Sequence, residues 1–425
     1  MLAAIKTPLA EQAPDTTDER VHKQSLVMQL EPSHNRPSLF IAILCIVLVA
    51  LALRPAIVSI GPLLPAMIQT FGLSHTQASL LTAIPTLLMG LMALPAPWLA
   101  RQFGRDRIVV VALLVLMVAT GLRAYAGSVV TLFLATIGVG AGIAVAGTLL
   151  AGFIKASHPT KVAFLMSIYA TALALGSTIA AAFTGPVAST AGGWRPGASV
   201  WVIPALIAFV AWIYVDRQRF SIETANHRGC RYAMPIRNRT AWLIALFFAS
   251  NNILFYAYIS WVAPMYVEYG RSPSMSGLIL ASFTLAFMIA NPVFGILSRN
   301  DDRRVALAVT STIALIGTTA IALAPNAMPF LSVPIVAFGI GGAFTLGMTL
   351  PLDNADSAEE ANTWNAFVLL FSYTLAAAGP LLMGYLRDVS GGFQTSHWLM
   401  VGVSVLMLSI TPFLQPYRQM KSNPA

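Results

Sequence analysis

The amino-acid sequence predicts an all-α membrane protein of twelve transmembrane helices arranged as two six-helix bundles. Three observations carry that expectation. Charged residues make up only 10% of the 425 positions, apolar runs of bilayer length recur from Leu39 onward, and the basic residues cluster in alternate loops. A soluble domain holds about 25% charged residues, so a chain with 57% apolar side chains takes the bilayer as its solvent. A hydrocarbon core roughly 30 Å thick needs about 17 to 25 residues of helix. Inside it every backbone polar group must be paired within its own segment, which leaves helices as the reading for each run.

The segments fall at 39–60, 76–100, 107–125, 128–154, 161–187, 198–215, 240–263, 274–298, 304–324, 328–350, 361–386 and 395–415. Segment 1 contains Arg54, the one formal charge well inside an apolar run. A cation at that depth either faces a polar path or snorkels to the headgroups, and both readings stay open. Segment 3 ends on Arg123, which is expected to snorkel. Segment 4 carries Gly138, Gly140, Gly142, Gly147 and Gly152 without the Gly-Lys pair of a nucleotide loop, and the small residues at 138 and 142 predict close helix contact. Segment 5 adds Tyr169 and segment 11 Asn365 and Ser372 as polar groups at membrane depth. Segment 7 places Asn252, Tyr256 and Ser260 on one face at four-residue spacing, a stripe that predicts a polar cavity. Asn291-Pro292 in segment 8 predicts a kink.

Every lysine and arginine except Arg54, Arg123, Arg195, Arg271 and Arg387 falls on one side of this topology. The positive-inside rule then puts both termini in the cytoplasm of an inner-membrane, multi-pass protein. It also accounts for the net charge of +9 without nucleic acid as a partner. Residues 1–38 are expected to be a disordered cytoplasmic tail, 39–215 one bundle, 216–239 a basic linker, 240–415 the second bundle and 416–425 a short tail. Internal similarity supports the division. Gly142-(x4)-Gly147-(x2)-Leu150 is answered by Gly342-(x4)-Gly347-(x2)-Leu350, and the basic loop 101–107 by 299–304.

Several function classes are excluded at this stage. No G-x-x-x-x-G-K-[ST] loop exists to drive a pump by nucleotide hydrolysis. The six histidines and two cysteines show no nucleophile, metal-ligand or redox spacing, so neither an enzyme nor a bound metal or cofactor is expected. A non-transporting sensor on the same scaffold stays open as a rival reading, although a sensor is expected to carry a larger soluble domain than the longest loop here.

The loop Phe103-Gly104-Arg105-Asp106-Arg107 resembles the G-x-x-x-D-R-x-G-R-R loop of the major facilitator superfamily, with Pro97 and Arg101 departing from the pattern. That resemblance implies a loop of Arg101, Gly104, Arg105, Asp106 and Arg107 that governs conformational gating. Within the superfamily the chain is similar to the cyanate and 2-nitroimidazole transporter family. The residues concerned are Leu53-Arg54-Pro55, Gly61-Pro62-Leu63-Leu64-Pro65, Gly192-Gly193-Trp194-Arg195, Phe255-Tyr256 and Trp261-Val262-Ala263-Pro264.

The resemblance implies a secondary transporter for a small anionic or weakly acidic solute. Arg54, Tyr169, Asn252, Tyr256, Trp261 and Asn365 are the expected substrate contacts. Its partners are the solute and the lipid bilayer, and a monomer is expected. No carboxylate lies at mid-membrane, which argues against a cation pump. An exporter of drugs or metabolites on the same scaffold remains the alternative.

Overall fold

A computed structural model describes residues 38–158, 161–217, 234–297, 302–355 and 358–414. The expected tails and most of the linker at 216–239 lie outside these residues. Among the described residues eleven helices are long and apolar enough to span a membrane, and twelve when a bent pair counts as one span. In chain order they are α1 (Leu39–Phe71), α2 (His75–Leu91 with Pro95–Phe103), α3 (Arg105–Ala124), α4 (Val129–Ser157), α5 (Val162–Thr190) and α6 (Trp194–Arg217). The second set is α7 (Arg239–Glu268), α8 (Pro273–Leu297), α9 (Arg304–Leu323), α10 (Pro329–Asp353), α11 (Ala358–Ala376 with Ala378–Ser390) and α12 (Gln394–Ile410).

Two elements differ from the expected segments in ways that shape the site. The first apolar run was expected to end at 60, but α1 continues to Phe71, where Gly72 closes it in a left-handed cap (φ +62°). Pro62 and Pro65 do not stop it, because neighbouring helices in a membrane bundle tolerate the missing backbone donors. At 33 residues α1 is about 50 Å long, and Arg54 therefore sits at its middle rather than in its outer third. There the helix is interrupted: Arg54 and Ser59 flank a four-residue turn of helix, Pro55–Val58. The second difference is a 64° bend in α2 between Leu91 and Pro95, where the proline restarts the helix at its first position.

Helices α1–α6 pack on one another, and so do α7–α12, as the internal similarity anticipates. Within the first bundle Gly142 lies against α3 so closely that a Cβ would meet the Ala112 carbonyl at 2.8 Å. Gly138, Gly140 and Gly142 are thus close contact points, in keeping with small-residue packing in bilayers, whereas a Cβ on Gly152 would meet nothing within 4 Å. The bundles meet chiefly through α1 with α7, α2 with α11 and α5 with α8, and α7 also touches α2 and α8 touches α1. Beyond its bend, the Pro95–Phe103 arm of α2 packs on α3 and α4 of its own bundle.

The face of the molecule that carries the 2–3 loop is here the basic face, and the opposite one the far face. On the basic face Gly104 holds φ +89°, a conformation that a side chain strains. Arg105 pairs with Asp106 at 3.1 Å and lies over the Phe153 ring of α4 at 5.0 Å. The pseudo-equivalent loop answers with Arg303 on Asp353 of α10 at 2.6 Å. Beside it Arg304 pairs with Asp302 and holds that carboxyl below the usual carboxylate range by hydrogen bonding.

Candidate functional site

A cavity of about 70 Å³ lies between the bundles at mid-membrane. A water needs roughly 10 to 15 Å³ of such space, so the cavity accommodates a solute of a few heavy atoms. Helix α1 contributes Arg54, α5 Ser177, α7 Asn252, Phe255 and Tyr256, α8 Thr284, Phe287 and Asn291, α10 Phe344, and α11 Tyr373. Each reaches inward for a local reason. The interruption of α1 brings Arg54 to the cavity wall, and the four-residue step in α7 aligns Asn252 with Tyr256.

The Arg54 guanidinium donates from Nη1 to the Tyr256 hydroxyl at 3.2 Å and lies 5.7 Å from the Phe255 ring centroid. Tyr373 and Tyr169 stand within its electrostatic reach. Among the described residues no carboxylate and no histidine lines the cavity. The Asn252 amide nitrogen is buried and without a hydrogen-bond partner among the described residues. On the opposite wall Thr345 Oγ1 bonds Asn291 Oδ1 at 2.7 Å. The chamber therefore combines one cation, amides and phenols with aromatic walls, a set that suits a flat, polar acceptor of hydrogen bonds.

The six expected substrate contacts do not all meet here. Arg54, Asn252 and Tyr256 do. Tyr169 approaches from behind, its hydroxyl against Gly147 and near Arg54. Asn365 sits elsewhere in α11, with a buried Oδ1 that has no partner among the described residues. Trp261 lies away from the cavity, donating to the Pro380 carbonyl at 3.0 Å and packing on His75. The third member of the α7 stripe, Ser260, bonds Thr82 of α2 across the bundles at 2.8 Å. Arg123 does not snorkel: it is fully buried, and its Nη2 donates to the Ala56 carbonyl at 2.7 Å.

Sequence reading missed Tyr373, although it stands eight residues beyond Asn365, two helical steps of four along α11. It also missed the closure at the far face. There the Asp388 carboxylate of α11 accepts from the His75 and Thr76 amides at 2.9 and 2.8 Å, meets His75 Nδ1 at 2.7 Å and accepts the Thr76 hydroxyl at 2.6 Å. These groups form the first turn of α2, so a side chain of one bundle caps a helix of the other. Ser79 adds a bond to Pro380 at 2.8 Å, and Gly384 packs directly on Ser79 and the His75 carbonyl.

Comparison with known proteins agrees with this architecture. The profile of the Major Facilitator Superfamily matches residues 39–355 and 242–425. The cyanate transport protein CynX of Escherichia coli (strain K12) is 29% identical over 382 residues, which cover 88% of this chain and 98% of that one. The 2-nitroimidazole transporter of the same organism is 28% identical over 371 residues, covering 87% and 93%. Among solved structures, a bacterial homolog of the human lysosomal transporter Spinster, in an inward-facing and occupied conformation, superposes with a TM-score of 0.77. It covers 93% of this chain and 100% of its own at 18% identity.

Proposed function

The chain belongs to the Major Facilitator Superfamily, and on that premise we propose that it is a secondary transporter for a small anionic or weakly acidic solute, working by alternating access with Arg54 as the anion contact. The observation that carries this reading is the Arg54 guanidinium, set in a central cavity with a phenol as its hydrogen-bond partner and no carboxylate on the walls. A cation at mid-membrane is costly unless something offsets its charge. An anionic solute supplies that counter-charge, and the planar fork of arginine can hold it through two parallel bonds.

The aromatic walls Phe255, Phe287 and Phe344 favour a flat, polarisable solute of a few atoms. Cyanate and nitroimidazoles, named for the two relatives, have that character. With the basic face in the cytoplasm, both termini lie inside and the far face is periplasmic. The closed far face then corresponds to an inward-facing state, the state of the Spinster homolog. Transport requires the Asp388 closure to open and the basic face to close in turn.

The test is initial flux of cyanate and of 2-nitroimidazole into proteoliposomes, with and without a pH gradient, for wild type, Arg54→Lys and Arg54→Ala at matched abundance. Flux that falls to background in Arg54→Ala and recovers poorly in Arg54→Lys is expected. A fully active lysine variant would remove Arg54 from the solute site.

A further inference from the structure

Among the described residues Arg123 is the largest charged side chain that is fully buried, with no exposed surface. It stands near the far end of α3, yet its reach is toward the middle of α1: Nη2 donates to the carbonyl of Ala56, two residues beyond Arg54. Its Nε and Nη1 have no partner among the described residues, and no carboxylate there pairs with it. A fully desolvated guanidinium with two idle donors is a costly way to satisfy one carbonyl. Packing alone gives no reason for it, since an apolar side chain of similar length would fill the same space.

The reason lies in what Arg123 touches. The Ala56 carbonyl lies in the four-residue turn Pro55–Val58 where α1 is interrupted, and beside it Pro55, Pro62 and Pro65, with no backbone N–H, leave the carbonyls of Leu51, Val58 and Gly61 without their helical donors. Carbonyls freed at a helix break gather partial negative charge, which a nearby arginine stabilises. On another side of the same break α5 presses in with Gly176, where a Cβ would lie 3.2 Å from the Leu51 carbonyl. The stretch that bears Arg54 is thus held between α5 and a cation from α3.

We infer that Arg123 is a positioning residue: it clamps the interrupted part of α1 and thereby fixes the Arg54 guanidinium in the geometry that binds an anion. The inference rests on the solute role proposed above for Arg54. Arg123 does not line the cavity, and it acts through the backbone of residues 54–56.

The experiment compares Arg123→Met, Arg123→Lys and Arg54→Ala in two measurements. Methionine keeps the apolar bulk and removes both the buried charge and the bond to Ala56, whereas lysine keeps a cation that can reach the carbonyl. In cyanate flux, Arg123→Met is expected to raise the apparent KM about tenfold at near-normal Vmax and membrane abundance, and Arg123→Lys to stay within about twofold of wild type. In hydrogen–deuterium exchange, amides 56–61 should exchange at least several-fold faster in the methionine variant and not in the lysine variant. This readout needs no solute and is taken on whatever fraction of the variant reaches the membrane.

Unchanged exchange in Arg123→Met would overturn the inference, as would a fall in abundance with KM unaltered. If Arg54→Ala transports normally, the solute role itself fails. If Arg54→Ala is inactive while Arg123→Met keeps the wild-type KM, only the positioning role fails.

Discussion

Removing the Asp388 carboxylate should open the far face. Four hydrogen bonds converge on it from His75 and Thr76, and the Asp388 and His75 side chains each keep 25% of their surface in water. With that exposure each bond contributes about 0.5 kcal/mol. Their sum, on the order of 2 kcal/mol, shifts the closed-to-open ratio roughly 30-fold. Spin labels at Thr190 and Ser390, exposed far-face ends of α5 and α11, report the separation of the two bundles. In a background lacking Cys45 and Cys230, Asp388→Ala should move the distance distribution in detergent or nanodiscs from a single short population toward a longer one. Glu268→Gln serves as the control, because the Glu268–Arg387 ion pair links α7 to α11 within one bundle. A distribution unchanged by Asp388→Ala, or changed equally by Glu268→Gln, would refute the idea that this cap holds the bundles together.

Other outcomes follow from the same geometry. Asn252→Ala and Tyr256→Phe should each weaken solute binding by about 1 to 2 kcal/mol while the protein stays folded, measured as flux against concentration; unaltered affinity in both would return them to packing. Gly104→Val should lower thermal stability by about 1 to 3 kcal/mol, because its φ of +89° strains a β-branched residue, and an unchanged melting profile would show that the loop relaxes freely. Reporter fusions after residues 104 and 227 should read cytoplasmic and those after 72, 194 and 391 periplasmic; a periplasmic signal at 227 would refute the assigned orientation.

Much of this arrangement was legible in the chain. Helix number follows from apolar length and division into halves from the repeated glycine pattern, since both depend on local composition. The stripe of Asn252 and Tyr256 was readable because four-residue spacing fixes a helix face. What escaped depends on partners far away in sequence. Nothing near Asp388 announces that it caps α2 across an interval of 313 residues, and nothing near Arg123 announces a carbonyl 67 residues earlier. The extent of α1 was misjudged because Pro62 and Pro65 signal a stop to local rules, whereas the surrounding helices override it. Trp261 shares its helix with Tyr256, but its position five residues on turns it to the closure instead of the chamber.

The two basic-face loops solve one mechanical problem with different materials. In the first half Arg105 pairs with its neighbour Asp106 and rests on the face of Phe153, and in the second Arg303 grips the carboxylate of Asp353, which stands 200 residues beyond Phe153. An ion pair near the surface weakens as the Debye length shrinks from about 10 Å at 0.1 M salt to about 3 Å at 1 M, whereas a stacked guanidinium depends less on ionic strength. A rise in salt should therefore weaken the Arg303–Asp353 contact of the second half more than the Arg105–Phe153 contact of the first, so that the two matching loops respond unequally to ionic strength.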